Sequence, residues 1–421
     1  MRPPRRSFVI HLAALALLAA LVMVLRLPAL PQSVVDWDES IYLLMARSML
    51  QGHAPYTVIW DNKPPGLYAL FALAQIVFGQ TVLAMRLLAM LAVTATCFLL
   101  WLYGSILLGS WAIGALAGLF YAVFSMQNGG LASNAEIMWA PFTVAAFLLL
   151  GQRTGVPATL QPGRRLTFLV IGLLLGIAIQ IKAVAGMELA VVLVLLAITP
   201  AITWRQGGRP QIGPIALAGA LVIVGALAPS LVAVGAFAGA GHLADYVYAN
   251  FTAISIYLRT TPPLTLAPVI EALLAQAHDA PLLWIGALAA LPLAWMIRQR
   301  HPRVVLDLLA PGLWLVGALI ATLLSRRFFP HYFLQVLPPL SLLAALVIVQ
   351  AVRLDSALPR PRQALLAGLI VAVGLAQPVA RPARQSLAEI AALLRRTPRV
   401  ELLAYTADYL RERLAPGEYL F

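Results

Sequence analysis

The sequence is poor in charge: Asp, Glu, Lys and Arg make up only 11% of its 421 residues, while 62% are hydrophobic. So little polar surface cannot cover a soluble globule of this length, which points to an integral membrane protein. Lysine is scarcer still. Lys63 and Lys182 are the only two lysines, so nearly all of the positive charge is arginine. The single cysteine, Cys97, excludes an intrachain disulfide and says nothing about redox compartment. His53, His242 and His278 are scattered singly, without the spacing of metal ligands. Strand-type alternation does not dominate either. Apolar runs of about 20 residues recur instead, the length of a bilayer-spanning helix, which argues against a barrel.

Hydropathy therefore predicts an all-α polytopic membrane protein with about eleven transmembrane helices. They fall near 8–27, 82–104, 108–127, 134–151, 167–182, 186–203, 213–238, 281–299, 304–324, 333–352 and 363–379. The basic start "MRPPRR" resembles a signal peptide, but its apolar core exceeds the usual h-region of about 7–15 residues and "RLPALPQS" lacks an A-x-A site, so a retained anchor is expected. With Arg2, Arg5 and Arg6 cytoplasmic, the inner loops "QRTGVPATLQPGRR", "WRQGGRP", "RQRHPR" and "VRLDSALPRPRQ" are all short and basic. The net charge of +13 is thus mostly a topology signal with a basic tail, and no nucleic-acid partner is expected. The same orientation gathers most acids on the outer face. The expected setting is a multi-pass inner-membrane protein with its chemistry and C-terminal tail facing the periplasm or exterior.

Residues 1–379 form the expected membrane domain, with long outer loops at 28–81 and 239–280. Loops of that length fold into short helices lying on the membrane. In the first, "SIYLLMARSMLQG" predicts a helix burying Ile41, Leu44, Met45 and Met49 and ending at Gly52, and "PPGLYALFALAQIVFG" predicts a second. Residues 380–421 turn charged and amphipathic, an extramembrane tail that is either short by nature or the start of a soluble domain.

One stretch departs from the rest. "DWDESIYLLMARSMLQGHAPYTVIWDNKPPGLY", residues 36–68, crowds Asp36, Asp38, Glu39, Asp61 and Lys63 together, with Trp37 and Trp60 as interfacial aromatics. Scattered loop acids merely solvate a loop; a cluster where the first span ends sits at the level of a lipid headgroup. A lysine in an arginine-using chain suits a site that wants a compact ammonium for phosphate, and Pro64-Pro65 hold its backbone extended. A carboxylate that takes a proton beside a cation that holds a phosphate leaving group is the minimum apparatus for group transfer from a phosphate ester. Outside the cell there is no ATP, so the donor must bring its own leaving group, as a lipid-linked phosphate does.

"WDESIYLLMARSMLQGHAPY", "WDNKPPGLYAL", "SNAEI" at 133–137, "DYVYANFTAISIYLR" at 245–259 and "RRFFPHYFLQVLPPLSLLAA" at 326–345 together resemble the GT-C membrane glycosyltransferases of the protein mannosyltransferase and aminoarabinose transferase branch. The resemblance covers most of the chain in the order of its loops. It implies transfer of a sugar from a polyprenyl-phosphate donor to a hydroxyl or amine of a glycan, lipid or protein acceptor. Asp38 matches the acceptor-activating base, Lys63 the lysine that holds the donor phosphate, and Glu136 an acidic residue of acceptor binding or site shape. The aminoarabinose enzymes carry a zinc-capable glutamate just before that lysine; this chain has Asn62, so no metal is assigned. They also carry an arginine soon after the Asp-Glu pair, where Ile41 and Tyr42 stand here, and the sugar is left open.

Further candidates surround these. Arg86 suits either a phosphate contact or a structural pairing with an outer-face acid. His331 and Tyr332, after Arg326 and Arg327, suit a site role or an interfacial anchor. Glu39 and Asp61 are expected to support the site, and Asp36 to support Asp38. Lys182 reads first as a snorkelling anchor, with a role beside the donor as the other reading. Two rivals to a transferase stand: a secondary transporter, which would place ionisable residues near the bilayer midplane, and a non-catalytic scaffold, which would leave the acid and lysine cluster without a purpose.

Overall fold

The computed structural model describes residues 5–30, 36–151, 162–205, 212–298 and 302–354, with 362, 365, 368–376 and 378–380. Among them the chain is helical and carries no strand. All but the first residue of the expected tail, 380–421, and most of the expected inner loops lie outside the described residues.

The spans follow the hydropathy. Helix α1 (Arg5–Arg26) is followed by the two outer-loop helices α2 (Trp37–Leu50) and α3 (Pro65–Phe78), then by α4 (Val82–Leu102), α5 (Trp111–Phe124), α6 (Ala135–Gly151), α7 (Pro162–Ile181), α8 (Gly186–Arg205) and α9 (Ile212–Gly239). The second long loop, expected on the outer face, forms α10 (Leu243–Val247), a π-helical turn at Tyr248–Thr252, α11 (Ala253–Thr260) and α12 (Leu266–Asp279). The chain then re-enters the bundle as α13 (Pro281–Ile297), α14 (Pro302–Leu324), a 3-10 turn at Pro330–Val336 and α15 (Leu337–Leu354). Among the described residues six helices are long and apolar enough to cross a membrane, or seven if α12 and α13, bent by 110°, count as one broken span. Other expected spans coincide with shorter apolar helices such as α5, α6 and α7, and the last, 363–379, is described only in part.

Between lipid-immersed helices burial of apolar surface gives little drive, so close packing has to hold the bundle together. The α7–α9 contact shows how. A Cβ added at Gly172 or Gly176 of α7 would lie 2.1 Å from the Val222 carbonyl or 2.5 Å from the Ala226 carbonyl of α9. Only glycines four apart let these backbones meet. Elsewhere large rings fill the space, as where Phe147 stacks on Trp314 with centroids 4.1 Å apart.

In the first outer loop, α2 starts where Asp36 caps it by accepting from the Asp38 N–H at 3.1 Å. It ends at Gly52, whose φ of +93° follows the expected helix stop. The buried face differs from expectation. Glu39, Tyr42, Met45 and Ala46 turn inward, whereas Leu44 is exposed and Ile41 and Met49 are half-buried. The cause is a buried ion pair at Glu39, which sets the rotation of the helix. Helix α3 begins with Pro65 in its first turn, where a missing N–H costs nothing.

Candidate active site

Helix α2, the loop before α3, the break between α7 and α8, α11, the end of α14 and the 3-10 turn converge on a cavity of about 750 Å³. Asp38, Lys63, Lys182, His331 and Tyr332 form its polar side, and residues such as Ile254 and Leu324 its apolar side. Both lysines of the chain therefore line one cavity.

Asp38 stands in the first turn of α2, where the helix N-terminus favours negative charge. Its carboxylate accepts from the Tyr42 hydroxyl at 2.9 Å and lies 3.7 Å from the Lys63 ammonium and 3.8 Å from His331 Nε2. Burial opposes its ionisation, yet Lys63, the Tyr42 hydroxyl and His331 outweigh that and hold the carboxyl below the usual carboxylate range. Lys63 is opposed in the same way by burial, but Asp61 at 3.3 Å and Asp38 raise it above the ordinary lysine value. The ammonium is thus shared between two carboxylates. Asp61 is fixed in turn by the Asn62 N–H at 2.7 Å and the Tyr68 hydroxyl at 2.9 Å.

Across the cavity Lys182 pairs with Glu136 and sits 4.1 Å from the centroid of the Tyr332 ring. The snorkelling expectation fails: the side chain turns into the protein because Glu136, buried on α6, and the Tyr332 face together offer the ammonium a partner there. Glu136 does not line the cavity; it orients a lysine that does. The start of α3 reaches this point because residue 66 is glycine. A Cβ there would meet the Gln180 Cβ and carbonyl oxygen, each at 2.7 Å.

Arg86 and Glu39 are placed elsewhere. Arg86 donates to Glu39 at 3.2 and 3.0 Å and to the Ala29 carbonyl at 2.6 Å, while Ser133 donates to Glu39 through its N–H and hydroxyl at 3.2 and 2.9 Å. This cluster ties the turn after α1, α2, α4 and the residues before α6 together, away from the cavity lining. The expectation that Arg86 meets phosphate is not met, because a guanidinium saturated inside the protein cannot reach a ligand. Asp36 supports Asp38 as a helix cap.

Nothing in the donor set suits a divalent ion: the space between Asp38 and Asp61 already holds an ammonium, and Asn62 offers no carboxylate. Sequence reasoning missed Tyr42 and Tyr68, and it put the anchor reading of Lys182 ahead of the one beside the donor. The signal for Lys182 was present, since the rarity that singled out Lys63 applies equally to it.

No family model matches the chain. It is 27% identical over 338 residues to the undecaprenyl phosphate-alpha-4-amino-4-deoxy-L-arabinose arabinosyl transferase of Pseudomonas aeruginosa strain UCBPP-PA14, covering 76% of this chain and 56% of that protein. The corresponding protein of strain PAO1 is 28% identical over 334 residues with the same coverage. The chain spans about half the length of these curated relatives. Among solved structures it is similar to ArnT from Cupriavidus metallidurans bound to undecaprenyl phosphate, with a TM-score of 0.59 at 14% identity over 98% of this chain and 82% of the other. It also resembles the archaeal oligosaccharyltransferase AglB from Archaeoglobus fulgidus in complex with an inhibitory peptide and a dolichol-phosphate, with a TM-score of 0.56 at 15% identity over 98% of this chain and 61% of the other. The chain therefore shares the helical membrane fold of ArnT and AglB, as the loop motifs led one to expect.

Proposed function

We propose that this protein transfers a sugar from a polyprenyl-phosphate donor to an acceptor hydroxyl or amine, at the outer face of an inner membrane. The observation that carries the reading is the convergence of Asp38 with the only two lysines on one cavity. A chain that otherwise uses arginine has spent both compact ammonium groups there, as a phosphate bound as a point charge requires.

In the reaction the acceptor oxygen or nitrogen attacks the anomeric carbon from the face opposite the phosphate. Asp38 takes the proton of the attacking group as the bond from carbon to phosphate oxygen breaks, and polyprenyl phosphate leaves. The configuration at carbon inverts. The phosphodiester carries one negative charge and the departing phosphate gains a second, so Lys63 and Lys182 act more strongly on the transition state than on the bound donor. Donor phosphate also competes with Asp38 for Lys63. As it draws the ammonium away, the carboxylate loses the cation that keeps it weakly basic and becomes a better proton acceptor.

Relatives named as undecaprenyl-phosphate arabinosyl transferases and neighbours solved with polyprenyl phosphates support a lipid-phosphate donor. Further parts of this proposal are a cytoplasmic N-terminus, an outer-facing cavity, and a division into a membrane domain at 1–379 with a tail at 380–421. The test is to incubate membranes containing the protein with labelled polyprenyl-phosphate sugars. Label should leave the lipid for an acceptor; uptake of a solute with no transfer would replace the reading by a transporter.

A further inference from the structure

Tyr56 has its backbone in the left-handed region, at φ 73°. A bulky residue keeps that conformation only where its surroundings over-determine it, and such residues cluster at working sites. Here both ends of the side chain are held. The ring stacks on Phe237 of α9 with centroids 5.8 Å apart and meets Tyr68 edge-on at 6.1 Å. The hydroxyl donates to the Lys63 carbonyl at 2.7 Å and accepts from Asn250 Nδ2 at 3.2 Å. Asn250 belongs to the π-helical turn of the second outer loop, and its amide also donates to the Tyr246 carbonyl at 3.0 Å. A π turn inside a helix often marks a functional position.

The chain of contacts runs from the second outer loop to the cation of the site. Fixing the Lys63 carbonyl fixes its peptide plane, and Pro64 keeps the residue extended. From that fixed backbone the side chain runs between Asp61 at 3.3 Å and Asp38 at 3.7 Å.

We propose that Tyr56 is a positioning residue for Lys63, and that Asn250 clasps the second outer loop to the first through it. The place of the phosphate-holding ammonium then depends on the two loops being joined. This rests on the reading of Lys63 as the donor-phosphate cation.

The chain offers its own internal reference, because Lys63 and Lys182 are its only lysines. The full-length protein, purified in detergent, is treated with an amine-acylating reagent at several pH values, and each lysine is quantified by peptide mass spectrometry. Tyr56→Phe keeps the ring and removes the hydroxyl. Its Lys63 should be acylated about fivefold faster relative to Lys182, since an ammonium released from its carboxylates loses its proton more readily; the factor corresponds to one neutral hydrogen bond. Asn250→Ala, which leaves the phenol in place, should give a smaller change in the same direction. A variant that fails to fold would expose both lysines, so a rise confined to Lys63 identifies the clasp.

A second readout uses activity. In Tyr56→Phe, kcat/KM for a polyprenyl-phosphate sugar should fall about fivefold and its acid limb should move to higher pH. The groups acting on Asp38 are Lys63, Tyr42, His331 and Lys182, and only Lys63 is displaced. An unchanged Lys63 to Lys182 ratio in both variants overturns the clasp, even if Lys63→Ala abolishes transfer and the donor reading stands. A shifted ratio in the variants, together with a wild-type protein that transfers nothing, keeps the clasp and sinks the donor reading.

Discussion

Asp38 and Glu39 are neighbours in the chain and members of two clusters of opposite character. Glu39 and Arg86 are almost sealed, with side chains 2% and 1% exposed, and every contact drawn around the carboxylate is a fixed hydrogen bond. Asp38 and Lys63 are 26% and 16% exposed, 3.7 Å apart, and the ammonium is divided between two acids. Charges locked together inside a protein define a shape, whereas charges held loosely at a cavity can exchange partners with a ligand. One residue step along the helix, about 100° of rotation, separates the two uses.

The largest expected effect breaks the sealed cluster. Arg86→Ala strands a buried carboxylate and should cost about 3–5 kcal/mol, enough to remove most folded protein from the membrane, as followed by thermal unfolding in detergent. Asp38 variants should show no comparable loss of stability.

The open cluster should respond in activity instead. Lys182→Met removes one charge-assisted contact to the leaving phosphate and also strands the buried Glu136 carboxylate, so transfer by the protein that remains folded should fall about 10- to 100-fold alongside a loss of stability. A fall in unfolding temperature without a change in kcat would return Lys182 to a structural role. Gly66→Ala sharpens the same point by geometry: the new methyl meets the Gln180 backbone and should push α3 away from α7, costing about 1–3 kcal/mol and separating the two lysines. Stability and donor KM, measured on one preparation, distinguish a local shift from a general one.

The smallest effect is in pH dependence. Because the folded Asp38 carboxyl lies below its unfolded value, its pairing contributes stability that is full above the unfolded value and lost as pH falls through the folded one. Lys63, raised in the fold, contributes stability that is full below the unfolded lysine value and lost as pH rises through the folded one. Asp38→Asn should flatten the acid side of the stability curve.

The all-α membrane architecture and the helices within the two long loops were legible in the sequence because hydropathy and loop length act locally. The count of about eleven spans is not matched by the six or seven long apolar helices among the described residues. Legible too was the pairing of "WDES" with "NKPPG" on one site, since rare charges in an apolar chain carry information. Partners remote in sequence were not legible. Glu136 meets Lys182 across 46 residues and Glu39 meets Arg86 across 47, and only the packed bundle decides which acid turns to which cation. Leu44 was misplaced for the same reason: its helix is rotated by a buried ion pair, which no apolar periodicity records.

The central claim is that Asp38 does chemistry while its neighbour Glu39 holds the fold. The direct test is single-turnover transfer from a labelled polyprenyl-phosphate sugar, measured together with unfolding temperature for Asp38→Asn and Glu39→Gln. The account predicts that Asp38→Asn loses about 10²- to 10⁴-fold in turnover with far less loss of stability than Glu39→Gln and still binds donor, and that Glu39→Gln unfolds early but turns over normally while folded. Full turnover by Asp38→Asn would contradict it.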